Sequence, residues 1–162
     1  MYQTTADRAA QKSSLAKAAL AIASRGKPVF PCKPGGKTPL TENGFKDATT
    51  NPHKINAWWE EWPNANIGMP TGKASDVFVL DVDPDKGGFE TLKALEAHQE
   101  PLPRTATVKT GREGLHIYLR YPDDGTVIRN SVGALGPGLD IRGEGGYVLL
   151  PPSTTEGAYE WR

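Results

Sequence analysis

Residues 77–83 read Val-Phe-Val-Leu-Asp-Val-Asp, and this stretch decides how the chain is interpreted. Successive side chains of a β-strand point to opposite faces, so the even-numbered apolar residues share one face, and Asp81 and Asp83 point together from the other. Two carboxylates this close repel each other unless a cation lies between them, and Mg²⁺ or Mn²⁺ prefers such oxygen ligands. The stretch therefore makes a metal site a candidate. For an isolated Asp-x-Asp, a strand end in water remains the simpler explanation.

Single residues exclude two common motifs for metal or phosphate. An EF-hand beginning at Asp81 would need glycine at its sixth position, where the chain has Lys86. A P-loop ending at residues 36–38 would need its first glycine where Pro31 stands. Lys37 remains a candidate phosphate contact as a lone cation.

The periodicity of apolar residues predicts helices followed by strands. Helices are predicted from Ser13 or Ser14 to Arg25, after an Asn51 cap, and from about Phe89 to His98. The predicted strands cover residues 28–32, 76–83, 105–109, 116–121, 139–142 and 147–150. We expect hairpins around residues 110–114 and 143–146. This order predicts an α+β fold with a largely antiparallel sheet.

The second predicted helix carries an apolar stripe that includes Trp58, Trp59 and Trp62. Three tryptophans resemble a base-stacking platform, but at helical spacing they are more typical of core packing. We therefore assign them to the core.

Composition bounds the class of protein. The 162 residues carry 19 Lys+Arg and 19 Asp+Glu, so the formal charges cancel. Residues 8–41, however, contain no acidic residue, and residues 51–100 contain more acidic than basic residues. Such a separation is compatible with phosphate handling beside a metal site, or simply with solvated faces. Cys32 is the single cysteine, which excludes an intramolecular disulfide and a multi-cysteine zinc site. The longest apolar run, residues 18–23, is too short to span a bilayer, so we expect a soluble cytoplasmic protein.

Two further segments combine glycine with polar residues. In residues 110–116, glycines allow a close backbone approach, Arg112 can reach phosphate, and His116 opens a strand. In residues 138–143, alternation leaves Asp140 and Arg142 on one face, so that Asp140 would supply a third carboxylate beside the Asp81/Asp83 pair. His53 and His98 have no comparable setting and are given no role.

Taken in order, these motifs carry a resemblance that covers nearly the whole chain. The series is Lys37-Thr38-Pro39, the tryptophan helix, Asn66-Ile67-Gly68 with Thr71-Gly72, residues 79–83, residues 114–118, residues 138–143, residues 145–148 and Pro151-Pro152-Ser153. It closely resembles the bifunctional DNA primase/polymerase (prim-pol) N-terminal domain of phage and plasmid replication proteins, in the archaeo-eukaryotic primase superfamily. Each motif alone is weak, and the ordered series is specific.

The resemblance implies a small α/β module packed with an RRM-like sheet, and roles for individual residues. Asp81, Asp83 and Asp140 would be catalytic and hold two Mg²⁺ or Mn²⁺ ions. His116 would contact the triphosphate of the incoming nucleotide. Further nucleotide contacts are expected from Lys37, Thr71, Gly72, Arg112 and Arg142. The chain departs from the family at residues 111–114, where relatives often have small residues, and Glu113 is expected to point outward.

The expected activity is template-directed transfer of nucleotides from a dNTP or NTP to a 3′-hydroxyl, with a DNA template and primer as partners. Residues 1–162 would form one catalytic domain, cut from a longer chain with a helicase or ATPase region, in a bacterial or archaeal cytoplasm. Two alternatives remain open at this stage. One is a metal-dependent nuclease, and the other is a non-catalytic nucleic-acid-binding module of a replication protein.

Overall fold

The computed structural model describes residues 4–162 and, for residues 5–13, the backbone alone. The helices of this part are α1 (Thr5–Ser24), α2 (Pro52–Glu61) and α3 (Gly88–His98). The strands are β1 (Phe30–Cys32), β2 (Asn66–Pro70), β3 (Val77–Val82), β4 (Thr107–Lys109), β5 (Leu115–Arg120), β6 (Leu139–Arg142), β7 (Tyr147–Leu150) and β8 (Glu160–Trp161). Short 3₁₀ helices cover Gly44–Asp47 and Pro84–Lys86. Within these residues, no helix is both long enough and apolar enough to cross a membrane.

The strands form two sheets in which every neighbouring pair is antiparallel. The small sheet has the order β1-β2-β7, and the large sheet has the order β6-β3-β5-β4-β8. Helices α1 and α2 pack against each other and against the small sheet, and α3 packs against β3 and β6 of the large sheet. The predicted α+β class is confirmed.

Strand β3 separates two apolar clusters, as its alternation predicts. Val79 is fully buried in the main core, which also contains the inner faces of the small sheet, α1 and α2. Leu80 and Val82 point the other way, into a smaller cluster with Leu92 and Leu95 of α3. Because the odd-numbered face of β3 looks toward the small sheet, Asp81 emerges where the main core ends.

The tryptophan helix is a core element. Asn51 caps α2 by accepting a hydrogen bond from the backbone N–H of His53, and Pro52 occupies the first turn. Trp58 and Trp59 are buried, and the indole N–H of Trp59 donates to the carbonyl of Ala65. The assignment of the stripe to the core is therefore confirmed.

Helix α1 begins earlier than the apolar pattern predicts, at Thr5 and not at Ser13 or Ser14. Residues 5–12 are mostly alanine and long polar residues, which favour helix without any apolar stripe to reveal it. The helix ends at Ser24, where Gly26 adopts a left-handed φ of 79° and accommodates the turn into β1. The side chains of Arg8 and Lys12, two basic residues of the acid-free segment 8–41, lie outside the described part.

The predicted hairpin around residues 143–146 is wrong. Strand β6 pairs with β3 in the large sheet, whereas β7 pairs with β2 in the small sheet. Residues 143–146 form a corner in which the chain passes from the large sheet to the small sheet. Thr71 holds this corner, since its hydroxyl donates to the carbonyl of Gly143 and its backbone N–H donates to the carbonyl of Gly146. The hairpin predicted around residues 110–114 is confirmed, with the Thr110 N–H donating to the carbonyl of Gly114.

Candidate active site

Three neighbouring strands place the central residues of the site in one row. Asp81 of β3 lies directly opposite His116 of β5 on one side and Asp140 of β6 on the other. Cross-strand partners project to the same face of a sheet, so all three side chains emerge together beside the end of the main core. The fold brings Asp81 and Asp140 together as predicted and adds His116 as the neighbour of Asp81 on the opposite side.

Asp81 is the central residue of this row and contacts two potentially cationic side chains. One of its carboxylate oxygens lies 3.4 Å from His116 Nε2, and the other accepts a hydrogen bond from Arg142 Nη2 at 3.1 Å. Burial raises the pKa of Asp81, but the contact with His116 and its charge, and then the charge and hydrogen bond of Arg142, outweigh burial and lower that pKa to about 2. Asp81 is therefore ionised throughout the neutral pH range.

His116 is held without a partner for its second ring nitrogen. The side chain is 5% exposed, and its ring lies 6.0 Å from that of Tyr159, centroid to centroid. Within the described residues, Nδ1 of His116 is buried and makes no hydrogen bond. A buried polar atom without a partner costs free energy. A ligand that supplies the missing hydrogen bond would remove this cost, so Nδ1 is a candidate ligand contact.

Arg142 lies between two carboxylates. Its Nη2 is 3.1 Å from Asp81 and 3.6 Å from Asp140, and the other oxygen of Asp140 accepts a hydrogen bond from the backbone N–H of Gly133 at 2.9 Å. The guanidinium thus supplies the positive charge that separates Asp81 from Asp140 in this structure.

Asp83 follows the end of β3 and starts the short helix Pro84–Lys86. Its carboxylate accepts a hydrogen bond from the backbone N–H of Asp85 and lies 3.7 Å from Lys86 Nζ. Two hydrogen bonds fix its backbone: the Asp83 N–H donates to the carbonyl of Gly138, and the Gly88 N–H donates to the carbonyl of Asp83. Glycine is needed at residue 88, since a Cβ there would meet the Asp83 amide nitrogen at 2.8 Å.

The loop between β4 and β5 presents Arg112 to the same region. Arg112 Nη2 contacts Asp85 at 2.6 Å, and its Nε lies 3.5 Å from Glu156. Glu113 points outward as expected and pairs with Lys109, with the Glu113 side chain 76% exposed. Gly114 packs against the carbonyl of Val82, where a Cβ would collide, so this glycine lets the loop lie against the end of β3.

Many of these residues line a cavity of about 410 Å³ at the exposed side of this row. Four acidic and four basic side chains line it: Asp81, Asp83, Asp140, Glu156, Lys37, Lys86, Arg112 and Arg142. Its remaining walls are Gly35, Gly36, Val82, Pro84, Thr110, His116, Thr155 and Tyr159. A second cavity of about 230 Å³ shares Lys37, Asp81, His116, Arg142 and Tyr159 with the first.

Lys37 reaches the cavities from the loop that follows β1. The structure gives its side chain no ion pair with any residue from 14 to 162, and its carbonyl accepts a hydrogen bond from the Tyr147 hydroxyl. Asn66, which is 3% exposed, fixes this loop by donating to the carbonyls of Gly36 and Thr154 and accepting from the Thr154 N–H. Two walls of the cavity thus depend on one buried amide.

Thr71 and Gly72 line neither of these two cavities. The Thr71 hydroxyl donates to the carbonyl of Gly143, and Gly72 pairs with Val77 while its Cα packs against Glu144. In this structure both residues brace the corner between the sheets and are not brought to the row of Asp81.

Some residues of the site are not among the candidates that the sequence predicts. Tyr159 lies near the end of the described chain and reaches both cavities, and Asn66 lies within a motif that was identified without a role. Tyr159 has no signal of its own in the sequence, since contacts with distant parts of the chain, among them the pairing of β4 with β8, carry the terminal segment to the site. For Asn66, a polar residue that opens an otherwise apolar strand was a usable signal.

The carboxylates fit divalent ions by their chemistry. Asp81, Asp83 and Asp140 offer only oxygen ligands, as Mg²⁺ and Mn²⁺ prefer. Among the described residues, no three His, Cys, Asp or Glu side chains are gathered into a ready metal site. Asp81 and Asp140 instead share the guanidinium of Arg142, so the donors suit the ions while the present arrangement holds an arginine.

Comparison with known proteins assigns the sequence to a family. No curated protein sequence matches the chain significantly. The family profile described as bifunctional DNA primase/polymerase, N-terminal, matches residues 19–162, which include both sheets and every residue of the cavity. The chain therefore belongs to the family of bifunctional DNA primase/polymerase N-terminal domains.

Proposed function

We propose that this chain is a template-directed nucleotidyltransferase that adds nucleotides from a dNTP or NTP to a 3′-hydroxyl, with two Mg²⁺ or Mn²⁺ ions, during phage or plasmid replication. The observation that carries the proposal is the row of His116, Asp81 and Asp140 across three strands, beside a cavity that four basic side chains also line. Its partners would be a DNA template and primer and a fused or associated helicase.

The carboxylates would hold the ions. Asp81 and Asp140 face each other across β3 and β6, and Asp83 follows two residues later on the same side of the cavity. Two divalent ions bound there would supply the positive charge that activates the attacking hydroxyl and stabilises the departing pyrophosphate.

The basic side chains and His116 would bind and orient the triphosphate. Lys37 has no ion pair to break among the side chains of residues 14–162, and Arg112 would exchange Asp85 and Glu156 for phosphate oxygens. The buried Nδ1 of His116 shows that this ring is not fully satisfied within the described protein. A cavity of about 410 Å³ lies within the usual range for small-molecule sites, roughly 300–1,000 Å³.

Primer extension on a DNA template tests the proposal. Asp81→Asn and Asp83→Asn each remove one carboxylate at nearly constant volume, and each should reduce dNTP incorporation at least about 100-fold. Asp123→Asn is the matched control, because Asp123 is exposed, pairs with Arg120 and lines neither of the two cavities. Incorporation at the wild-type rate by the folded Asp81→Asn or Asp83→Asn protein would overturn the proposal.

The same proteins separate the proposed activity from its alternatives. Cleavage of labelled single-stranded DNA with Mg²⁺ and no nucleotide would identify a nuclease, and DNA binding without extension would identify a non-catalytic module. Comparing primer extension with synthesis of a dinucleotide from free nucleotides then tells whether residues 1–162 also start chains.

A further inference from the structure

The proposed metal ligands Asp81 and Asp140 already have a cation between them. The two residues are cross-strand partners, and Arg142 Nη2 lies 3.1 Å from the first carboxylate and 3.6 Å from the second. The Asp81 and Asp140 side chains are 23% and 18% exposed, so water screens them only in part.

The arrangement has a simple electrostatic cause. Like charges directly opposite each other in a sheet are destabilising, and the cost rises as the pair is withdrawn from water. Arg142 lies two residues after Asp140, so alternation returns its side chain to the same face as both carboxylates. Its fork of N–H groups can serve two carboxylates together.

We propose that Arg142 is an internal counter-ion that occupies the place of the divalent ion and must be displaced when the ion binds. This inference rests on the proposed function, because it takes Asp81 and Asp140 as the metal ligands. A divalent ion shared by these carboxylates would lie a few ångströms from the guanidinium, and the two positive charges would repel each other strongly in a partly buried site. The wild-type protein therefore binds the ion more weakly than its carboxylates alone would allow.

The structure offers the displaced side chain a place to go. The backbone of Arg142 is fixed in the ladder between β6 and β3, while its guanidinium is held by the two carboxylates. Arg142 lines both the large cavity and the smaller one beside it. Rotation of the side chain therefore moves the charge between neighbouring cavities without moving the strand.

Titration with Mn²⁺ in the absence of nucleotide, followed by electron paramagnetic resonance of the free ion, tests this directly. Arg142→Gln should bind Mn²⁺ at least about fivefold more tightly than the wild type. Arg120→Gln removes the same charge from an exposed position of the same sheet and should leave the affinity unchanged. Equal or weaker binding by Arg142→Gln, or an equal gain in Arg120→Gln, overturns the inference.

Two further measurements complete the test. In the wild type, Mg²⁺ should shift the side-chain N–H signal of Arg142 in a ¹H–¹⁵N spectrum, and a signal that stays in place at saturating Mg²⁺ overturns the inference without reliance on a variant. Asp81→Asn should weaken Mn²⁺ binding. If Asp81→Asn binds Mn²⁺ as tightly as the wild type, the ion binds elsewhere and the metal site of the proposed function fails. If Asp81→Asn binds Mn²⁺ more weakly but Arg142→Gln and the wild type have equal affinities, only the counter-ion role of Arg142 is overturned.

Discussion

His116 Nε2 lies 3.4 Å from a carboxylate oxygen of Asp81, and the two residues face each other across β5 and β3. The contact orients the imidazole so that its other nitrogen, Nδ1, remains buried and without a partner among the described residues. The ring of Tyr159 lies beside the imidazole at a centroid distance of 6.0 Å. The ring is thus held in a defined orientation at the wall shared by both cavities.

Replacing this histidine should impair nucleotide addition more than folding. His116→Asn replaces the imidazole with an amide that reaches less far from the strand. We expect incorporation to fall at least about 100-fold in primer extension. His98→Asn is the control, because His98 is exposed at the end of α3 and lines neither of the two cavities. Wild-type incorporation by a folded His116→Asn protein would show that the ring has only a packing role.

The sequence predicts those features of the site that depend on neighbouring residues, and it does not predict those that depend on pairing between distant strands. The alternation in residues 77–83 predicts one face for Asp81 and Asp83, because side-chain direction in a strand follows from the backbone alone. Both residues line the large cavity, although Asp83 lies just beyond the end of β3. The separation of β6 from β7 could not be predicted in this way, since it depends on pairing with β3 and β2, both about 60 residues or more earlier in the chain. The same long-range pairing places Arg142 between Asp81 and Asp140, and it directs Thr71 into the corner between the sheets.

The buried amide of Asn66 should control how well the nucleotide binds. Asn66→Ala removes two hydrogen bonds that the side chain donates and one that it accepts, which hold the loop of Gly36 and the segment of Thr154. We expect a loss of about 2 kcal/mol in the free energy of unfolding and a several-fold rise in KM for the dNTP. Asn64→Ala, at an exposed position just before β2, is the matched control. An unchanged KM in the destabilised Asn66→Ala protein would contradict a link between this amide and the nucleotide.

The single cysteine should report on folding and not on the surface. The Cys32 side chain is fully buried in β1, and burial raises the pKa of its thiol to about 12. Only the thiolate reacts readily with disulfide reagents, so at about pH 8 the native protein should not be labelled. Labelling should become complete in concentrated guanidinium chloride, and rapid labelling without denaturant would show that β1 opens in the native state.

Asp81 should make the metal-free protein sensitive to acid. Its folded-state pKa of about 2 lies below the ordinary value of 3.8, so the ionised form is favoured by folding. The resulting stabilisation, about 2 kcal/mol, is fully present above the unfolded value and is lost as the pH falls through 3.8 toward 2. Urea unfolding of wild type and Asp81→Asn should therefore differ more at neutral pH than at about pH 2.5. A difference that does not change with pH would contradict the lowered pKa.

Close contact between Gly88 and the backbone of Asp83 should be required for the position of that carboxylate. A Cβ at residue 88 would lie 2.7 Å from the Asp83 carbonyl oxygen and closer still to that of Gly138, so Gly88→Ala must push α3 away from the end of β3. We expect a loss of about 1–3 kcal/mol in stability, despite the better helix propensity of alanine, together with a fall in primer extension. Gly125→Ala is the comparison, because no atom lies within 4 Å of its Cβ position and its left-handed φ of 88° should cost stability without affecting activity. If Gly88→Ala loses stability and keeps full activity, the role proposed for Asp83 as a metal ligand does not depend on this contact.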